Sequence, residues 1–495
     1  KKLFSKVEAL SFNEVKNFST SSLITRTTND ITQVEMLIGM GLQLLVKAPI
    51  TAVWAITKIV NKSWQWSLVT SIAVLILLSI IITLIIVVMP KFKIVQKLID
   101  KINNVTRENL NGLRVIHAFN AEKYQEEKFQ EVNDKLTNQQ LFNQKAFSIM
   151  SPAMYLVMNS LTMVIYFIGA YLIDAALMAD KLQVFSDMVI FSSYAMQVIM
   201  SFLMLAMIFM ILPRASVSAN RINEVLETMV TVPDGTIDKD ITSEVGTIEF
   251  KNVSFKYPDA EEYLLKDISF KVTAGETIAF IGSTGSGKST LINLIPRFYD
   301  ATDGEVLIDG INVKEYKQSY LFNKLGYVPQ KAVIFSGTVK DNVAYGESKK
   351  PKTDDNIKKS IEVAQAKEFV EKMDKGYKTN LAQRGTNISG GQKQRLAIAR
   401  AIARDPEIYI FDDSFSALDY KTDATLRKEL KKHTKNATCV IVAQRIGTIM
   451  HADKIMVLDN GECVGYGTHE ELLKKCSVYK QIALSQLSKE ELENA

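Results

Sequence analysis

The stretch that most constrains this 495-residue chain spans residues 278–289 and reads IAFIGSTGSGKS. An apolar run of strand length at 278–281 leads into a loop that starts at Gly282 and ends in Lys288-Ser289, where a helical pattern begins. A G-x-x-x-x-G-K-[ST] loop between a strand and a helix predicts a phosphate-binding loop. Its backbone N–H groups cradle a phosphate, the lysine neutralises phosphate charge, and the Ser hydroxyl is a ligand for Mg²⁺. The chain is therefore predicted to bind a nucleoside triphosphate.

The residues predicted to contact the phosphates belong to this loop and to the start of the next helix. They are Gly282, Ser283, Thr284, Gly285, Ser286, Gly287, Lys288, Ser289 and Thr290. A flexible Gly/Ser loop without a ligand is the alternative, and the flanking strand and helix patterns argue against it.

The first half of the chain contains four long, predominantly apolar runs. They lie at 36–59, 68–89, 146–173 and 188–212, and the last three carry no charge. Since a membrane-spanning helix needs about 20 apolar residues, all four are predicted to cross a membrane. Buried helices of a soluble protein are the alternative, but soluble cores seldom need uncharged runs of this length.

Basic residues fix the predicted orientation of these spans. Six lysines and arginines follow the second span between 91 and 114, and Arg214 and Arg221 follow the fourth. The positive-inside rule then places both termini and the connection at 90–145 in the cytoplasm of a multi-pass protein of the cell membrane. This connection is charged and nearly free of Gly and Pro, so we expect helices that extend into the cytosol, with a turn near 120–122.

The second half alternates short apolar runs with helical patterns from about residue 247 onwards. This alternation predicts a largely parallel α/β sheet with its ligand site at the carboxyl ends of the strands. One run, at 408–411, ends in Asp412-Asp413, an arrangement that holds Mg²⁺ opposite a phosphate-binding loop. A turn signal at 233–235 marks the linker, and the predicted domains are 1–235 and 236–495.

Net charge and cysteine usage bear on the partner and on the cellular compartment. A formal net charge of +5 is small for this length and gives no reason to expect a nucleic-acid partner. The three cysteines lack metal-ligand spacing and indicate a reducing compartment.

The stretch Ser389-Gly390-Gly391-Gln392 precedes a helical pattern at 393–404 and lies between the phosphate loop and the second acid. In this context it resembles the signature motif of the ATP-binding cassette (ABC) family, and the order of the two halves resembles that of its exporters. The resemblance covers essentially the whole chain and implies an all-α transmembrane domain followed by an α/β P-loop ATPase domain. The family has six transmembrane helices where four are recognised here, so two are expected to precede Lys1.

The resemblance also implies roles for single residues. Tyr257 matches the aromatic that stacks on adenine, and Gln330 matches the glutamine that reaches Mg²⁺ beside Ser289 and Asp412. The signature residues Ser389, Gly390, Gly391 and Gln392 contact ATP bound to a second, partner half, and the stretch 416–419 matches a loop at the interface between the two halves.

Two catalytic positions depart from the family pattern. Asp413 stands where the family has a glutamate as general base, and Gln444 stands where it has a histidine. With Lys288, these residues belong to one ATP site, which is expected to hydrolyse ATP slowly because Asp is one methylene shorter and an amide cannot titrate. A heterodimer of the multidrug- or lipid-exporter type is therefore expected, with a slow homodimer as the alternative.

The expected function is export of a hydrophobic or amphipathic substrate through the lipid bilayer, driven by hydrolysis of ATP with Mg²⁺. The alternative is a channel-like or regulatory half whose ATP binding gates a pore with little pumping. Nothing in the residues identifies the substrate.

Overall fold

The computed structural model describes residues 1–60, 62–348 and 351–486. Two compact units divide the chain: Ser21–Glu227 forms one, and Lys1–Thr20 together with Thr228–Ala495 forms the other. Residues 61, 349–350 and 487–495, which fall in the two predicted domains, lie outside the described residues.

Two short helices begin the chain, α1 (Lys2–Glu8) and α2 (Phe12–Asn17), and both group with the unit that contains Thr228–Ala495. The ring centroids of Phe12 and Phe298 are 4.7 Å apart. Glu14 is buried and its Oε1 accepts a hydrogen bond of 2.6 Å from the hydroxyl of Thr231. These contacts explain why the first twenty residues belong to that unit.

The unit Ser21–Glu227 is helical throughout. Its helices are α3 (Thr20–Thr27), α4 (Asn29–Met36), α5 (Leu42–Ile59), α6 (Trp64–Ala118), α7 (Glu122–Ala175) and α8 (Lys181–Glu227). A π-helical turn, Leu37–Gly41, joins α4 to α5. Among the described residues, four helical stretches are long and apolar enough to cross a membrane, which confirms the predicted spans.

Helices α6 and α7 continue well past their apolar segments, because few Gly or Pro residues interrupt the charged connection at 90–145. They meet at a turn between Ala118 and Glu122, where it was predicted. The buried core of this unit includes Trp66, Ile165 and Phe191. Apolar side chains such as Ile86 and Phe167 remain exposed on the outside, as a lipid environment requires.

The other unit is an α/β domain. Its strands are β1 (Ile248–Phe255), β2 (Leu265–Val272), β3 (Thr277–Gly282), β4 (Asp303–Ile308), β5 (Ile311–Asn312), β6 (Leu325–Val328), β7 (Gly337–Thr338), β8 (Asn380–Leu381), β9 (Ile408–Asp412), β10 (Thr438–Val442), β11 (Lys454–Asp459) and β12 (Glu462–Gly467). Its further helices are α9 (Lys288–Asn293), α10 (Gln318–Lys324), α11 (Val339–Val343), α12 (Asp354–Val363), α13 (Lys367–Glu371), α14 (Gly390–Arg404), α15 (Tyr420–His433), α16 (Ile446–Ile449), α17 (His469–Lys475) and α18 (Ser477–Gln486).

The central sheet has the strand order β12-β11-β3-β10-β9-β6 in the described residues. Strands β11, β3, β10, β9 and β6 pair in parallel, and β12 is antiparallel to β11. Every residue of β9 and β10 is buried, which explains their continuous apolar sequence. The carboxyl ends of β3, β10, β9 and β6 therefore lie side by side at one edge.

Three local predictions differ from the structure. A second, antiparallel sheet, β2-β1-β4-β5, was not anticipated. Strand β1 continues over eight residues through Lys251 and Asn252, where short apolar runs were expected. Its register with β2 shifts around Asn252, whose backbone has a φ of +48°. Helix α14 begins at Gly390 rather than at 393, because Ser389 caps it three residues earlier.

Candidate functional site

The phosphate-binding loop connects β3 to α9, as its sequence predicted. Gly287 adopts a φ of +93°, and a Cβ there would lie 2.7 Å from Cδ2 of Leu265. Only glycine fits this position, because both the backbone angle and the close approach exclude a side chain. The loop residues Ser286 and Thr290 are buried.

Lys288 folds back over the loop. Its Nζ donates to the carbonyl oxygens of Gly282 and Ser283, at 2.9 and 2.7 Å, and contacts Oγ of Ser286 at 3.2 Å. Burial lowers the pKa of this ammonium, and the charges of Asp413 and Asp412 act in the opposite direction. A bound phosphate would add negative charge beside a cation whose present hydrogen bonds go to neutral oxygens.

Asp412 at the end of β9 lies next to the loop. Its Oδ1 accepts a hydrogen bond of 2.9 Å from the hydroxyl of Ser289. Burial raises the pKa of Asp412, and the neighbouring charge of Asp413 adds to this effect. A hydroxyl and a carboxylate side by side supply the hard oxygen ligands that Mg²⁺ takes together with substrate phosphates.

Asp413 meets two glutamines. Its Oδ2 accepts hydrogen bonds from Nε2 of Gln444 at 2.8 Å and from Nε2 of Gln330 at 3.4 Å. The three residues follow β9, β10 and β6, which are neighbours in the sheet. Burial is the main cause of the raised pKa of Asp413, and its bond from Gln330 partly offsets that rise.

Tyr257 stands on the other side of the loop. Its hydroxyl lies 3.0 Å from Oγ1 of Thr290, and its ring meets that of Tyr299 edge-on with centroids 5.3 Å apart. Nζ of Lys16, in the last turn of α2, lies 6.0 Å from the centre of the Tyr257 ring. Tyr257 is thus attached to the phosphate loop by its hydroxyl, with part of its ring exposed.

The signature residues form the start of α14. The hydroxyl of Ser389 accepts from the backbone N–H of Gln392, and Oε1 of Gln392 accepts from the backbone N–H of Ser389 at 2.9 Å. In the part of the chain that the structure describes, neither side chain is hydrogen-bonded to the cluster around Lys288. Gly391 lies against the 416–419 stretch, since a Cβ there would be 3.2 Å from the carbonyl oxygen of Ala417.

Two residues that sequence reasoning missed hold the loops of this site. The side-chain amide of Gln486 in α18 donates to the carbonyl oxygen of Gln444 and accepts from the N–H of Ile446, both at 2.8 Å. Nε2 of Gln394 in α14 donates to the carbonyl oxygen of Pro329, next to Gln330, at 3.1 Å. Neither lies in a recognisable motif, so the sequence carried no signal for them.

Comparisons with known proteins cover both halves of the chain. Residues 1–212 match a family model described as ABC transporter transmembrane region, and residues 265–416 match one described as ABC transporter. An uncharacterized ABC transporter ATP-binding protein of Mycobacterium tuberculosis (strain H37Rv) is 41% identical over 488 residues, which is 98% of this chain and 82% of the relative.

Two further matches have more specific descriptions. The ATP-dependent lipid A-core flippase of Pseudomonas fluorescens (strain Pf0-1) is 32% identical over 97% of this chain and 78% of its own length. A solved structure of a bacterial Atm1-family ABC exporter with ATP bound matches with a TM-score of 0.78 and 25% identity, covering 98% of this chain and 84% of that one.

Proposed function

The chain belongs to the ABC transporter family, and on this basis we propose that it is one half of an exporter for a hydrophobic or amphipathic substrate. It is a multi-pass membrane protein with a cytoplasmic ATPase domain, and its transport class is ATP-driven export. The domain limits 1–235 and 236–495 are part of the proposal. The lipid named for the flippase of Pseudomonas fluorescens makes an amphipathic substrate a reasonable class for this chain.

ATP binds at the carboxyl edge of the central sheet in this proposal. Tyr257 stacks on the adenine, and the loop from Gly282 to Thr290 holds the phosphates with Lys288 at their charge. The observation that supports it is the hydrogen bond of Ser289, which follows the Lys288 ammonium at the end of the phosphate loop, to Asp412 at the end of β9. Strands β3 and β9 flank β10 in the central sheet, so both groups lie at its carboxyl edge.

The oxygen ligands around Ser289 fit Mg²⁺. Ser289 and Asp412 supply two adjacent oxygens, and Gln330 adds an amide oxygen when its side chain turns from Asp413. Among the described residues no cluster of three or more His, Cys, Asp or Glu side chains forms a protein-only metal cage. Mg²⁺ binds through one or two carboxylates plus phosphates, so this ligand set suits it. When bound, the ion neutralises charge on the β- and γ-phosphates.

A slow ATP site on this chain follows from the same residues. Oδ2 of Asp413 already accepts two amide hydrogen bonds, which leaves this oxygen less able to take a proton from a water. Gln444 adds an amide where a titratable group would serve proton transfer. The alternative of an ATP-gated, channel-like or regulatory half rests on this weakness.

The partner half then supplies the competent catalytic residues. A homodimer would repeat Asp413 and Gln444 in both ATP sites. A partner of different sequence would instead make one of the two sites competent for hydrolysis. This chain would contribute Ser389, Gly390, Gly391 and Gln392 to the partner's ATP.

Export is tested in sealed inside-out vesicles that contain this chain and its partner half. An amphipathic dye and a fluorescent phospholipid should accumulate against a gradient with MgATP and fail to do so with a non-hydrolysable analogue. Flux that only equalises the two sides would contradict export and favour the channel-like alternative.

A further inference from the structure

A cavity of about 430 Å³ lies in the unit Ser21–Glu227, where α5 turns into α6 and α7 turns into α8. Helix α8 ends at Glu227, from which the chain continues into the cytoplasmic ATPase domain. The opposite end of α8, at Lys181, therefore lies on the outer side of the membrane, together with the cavity. Trp64 and Trp66 line it, at the depth where an aromatic belt meets lipid headgroups.

The wall of the cavity carries one cation and one anion that can each make further hydrogen bonds. Nζ of Lys62 donates to Oδ1 of Asp187 at 2.8 Å, and Nε2 of Gln183 donates to the same oxygen at 3.1 Å. Within the described residues both bonds to this carboxylate go to Oδ1, so Oδ2 is available to a ligand. The ammonium of Lys62 has three protons and uses one of them in this contact. Both side chains are partly exposed, by 33% and 21%.

The rest of the wall combines apolar surface with a buried donor. Leu172 and Val184 contribute aliphatic side chains. Trp66 is 1% exposed, packs on Phe191 with centroids 5.3 Å apart, and its Nε1 has no acceptor among the described residues. A buried N–H without an acceptor is costly, and an oxygen that entered the cavity beside it would remove that cost.

We propose that this cavity binds the headgroup of a zwitterionic phospholipid of the ethanolamine class from the outer leaflet. The phosphate of the headgroup meets the Lys62 ammonium, and its primary ammonium donates to Oδ2 of Asp187. The glycerol and the first acyl carbons lie on Leu172 and Val184. A cavity of this size suits a headgroup rather than a whole lipid.

The charges select among lipid classes. Phosphatidylglycerol brings no cation to Asp187, so its anionic charge faces a carboxylate. Phosphatidylcholine carries a quaternary ammonium that has no proton to donate. A primary ammonium is the headgroup cation that both neutralises Asp187 and makes a hydrogen bond to it.

The tryptophans provide a reporter of occupancy. The chain has three, and Trp64 and Trp66 line the cavity, so Trp54→Phe leaves only cavity residues fluorescent. The W54F chain is reconstituted into phosphatidylcholine vesicles with a partner half whose tryptophans are replaced by phenylalanine, so that only Trp64 and Trp66 report. Three lipids brominated close to the glycerol are then compared as quenchers at equal fractions. They are phosphatidylethanolamine, phosphatidylcholine and phosphatidylglycerol. We expect phosphatidylethanolamine to be preferred about tenfold over phosphatidylcholine, since a hydrogen bond to a charged group is lost with choline.

Variants separate recognition from a structural role of the pair. Asp187→Asn should abolish the preference for ethanolamine over choline, and Lys62→Gln should weaken quenching by both lipids. Lys135→Gln removes an exposed ion pair with Glu131 elsewhere in the unit and should change neither. Basal ATP hydrolysis and the thermal midpoint report whether each variant is folded.

Three results would overturn the proposal. Equal quenching by the three lipids indicates ordinary contact with bulk lipid. A preference that survives Asp187→Asn assigns selectivity to other groups. Displacement of the brominated lipid by soluble glycerophosphoethanolamine at equal concentration indicates a site for a water-soluble ligand.

Discussion

Nε2 of Gln444 donates a hydrogen bond of 2.8 Å to Oδ2 of Asp413, so the two departures from the family pattern are in direct contact. Gln330 contacts the same oxygen at 3.4 Å. One oxygen of the proposed general base is thus shared by two amides. Replacing either residue alone leaves the other member of an incompetent pair in place.

We expect Asp413→Glu with Gln444→His to raise ATP turnover at this chain's own site by about 10²-fold or more, because general-base and proton-transfer groups contribute about 10²–10⁴-fold. Turnover is measured in a complex whose partner carries a disabled phosphate-loop lysine, so that only this site is active. Adding Lys288→Ala to the double variant should remove the gain. A double variant no faster than the wild type would contradict the assignment of these two positions.

Lys288→Ala should weaken MgATP binding to this site by about 10–100-fold, because the charged donor at the phosphates contributes about 1.5–3 kcal/mol. Binding is measured with a fluorescent ATP analogue without turnover. Lys372→Ala serves as the control, since Lys372 lies on the surface with a side chain that is 72% exposed. Equal affinity of Lys288→Ala and Lys372→Ala for the analogue is incompatible with the proposed site.

Local sequence patterns predicted the strands of the central sheet well, because β3, β9 and β10 are buried on both faces, and β3 and β9 end in Gly282 and Asp412. The separate antiparallel sheet was missed because short apolar runs do not show how strands pair, and because β2 alternates buried with exposed residues instead of forming such a run. Its register also depends on the unusual backbone of Asn252, which no periodic pattern reveals.

The candidate site likewise contains parts that the local sequence predicted and parts that it did not. The phosphate loop is a short motif whose own contacts join neighbours in sequence, as the bond from Lys288 to Ser283 does. Asp412 was identified by its place at the end of an apolar run, although it lies 123 residues from Ser289. The Asp413–Gln444 bond joins two side chains from separate loops 31 residues apart, and the side chain of Gln486 in α18 contacts the backbone of Gln444, 42 residues earlier. Such contacts depend on how the strands are ordered in the sheet, which single residues do not encode.

Lys324→Met should destabilise the ATPase domain by about 3–5 kcal/mol, the usual cost of leaving one member of a buried ion pair alone. The side chains of Lys324 and Asp309 are each 2% exposed, and Nζ lies 2.9 Å from Oδ2 of Asp309. Nζ of Lys324 also pairs with Asp240 and Glu407, whose side chains are 57% and 19% exposed. Lys324→Met with Asp309→Asn should therefore be less destabilised than Lys324→Met, because the most buried of the three carboxylates no longer carries a charge. Unfolding is followed by the reactivity of the buried Cys439 and Cys476 thiols in a Cys463→Ser background.

The pH dependence of the same variant has a definite sign. Burial raises the pKa of Asp309, and the hydrogen bond from Lys324 counteracts this rise. Without the ammonium the folded-state pKa rises further above the unfolded value, so the stability deficit is full above the folded pKa. It should shrink as pH falls through that value, because the protonated carboxyl carries no charge. A deficit independent of pH would assign it to lost packing instead.

The last prediction concerns the signature residues, and the structure indicates which of them to change. A Cβ on Gly391 would lie 3.2 Å from the carbonyl oxygen of Ala417, so Gly391→Asp disturbs this chain itself. A Cβ on Gly390 would have no atom within 4 Å, so replacing Gly390 leaves the packing of the chain intact.

In the complex with the partner half, Gly390→Asp in this chain should lower total ATP turnover by about 10²-fold or more, because the new carboxylate would face the γ-phosphate of the partner's ATP and displace preorganised donors. Asp413→Asn in this chain should have a small effect, since the site that it belongs to is already slow. Steady-state turnover of the complex is compared for both variants and for Gly447→Asp, another glycine with open space around it. A homodimer predicts that Asp413→Asn and Gly390→Asp are equally damaging, because both would then fall in every site. Loss of turnover with Asp413→Asn but not with Gly390→Asp would refute the heterodimer.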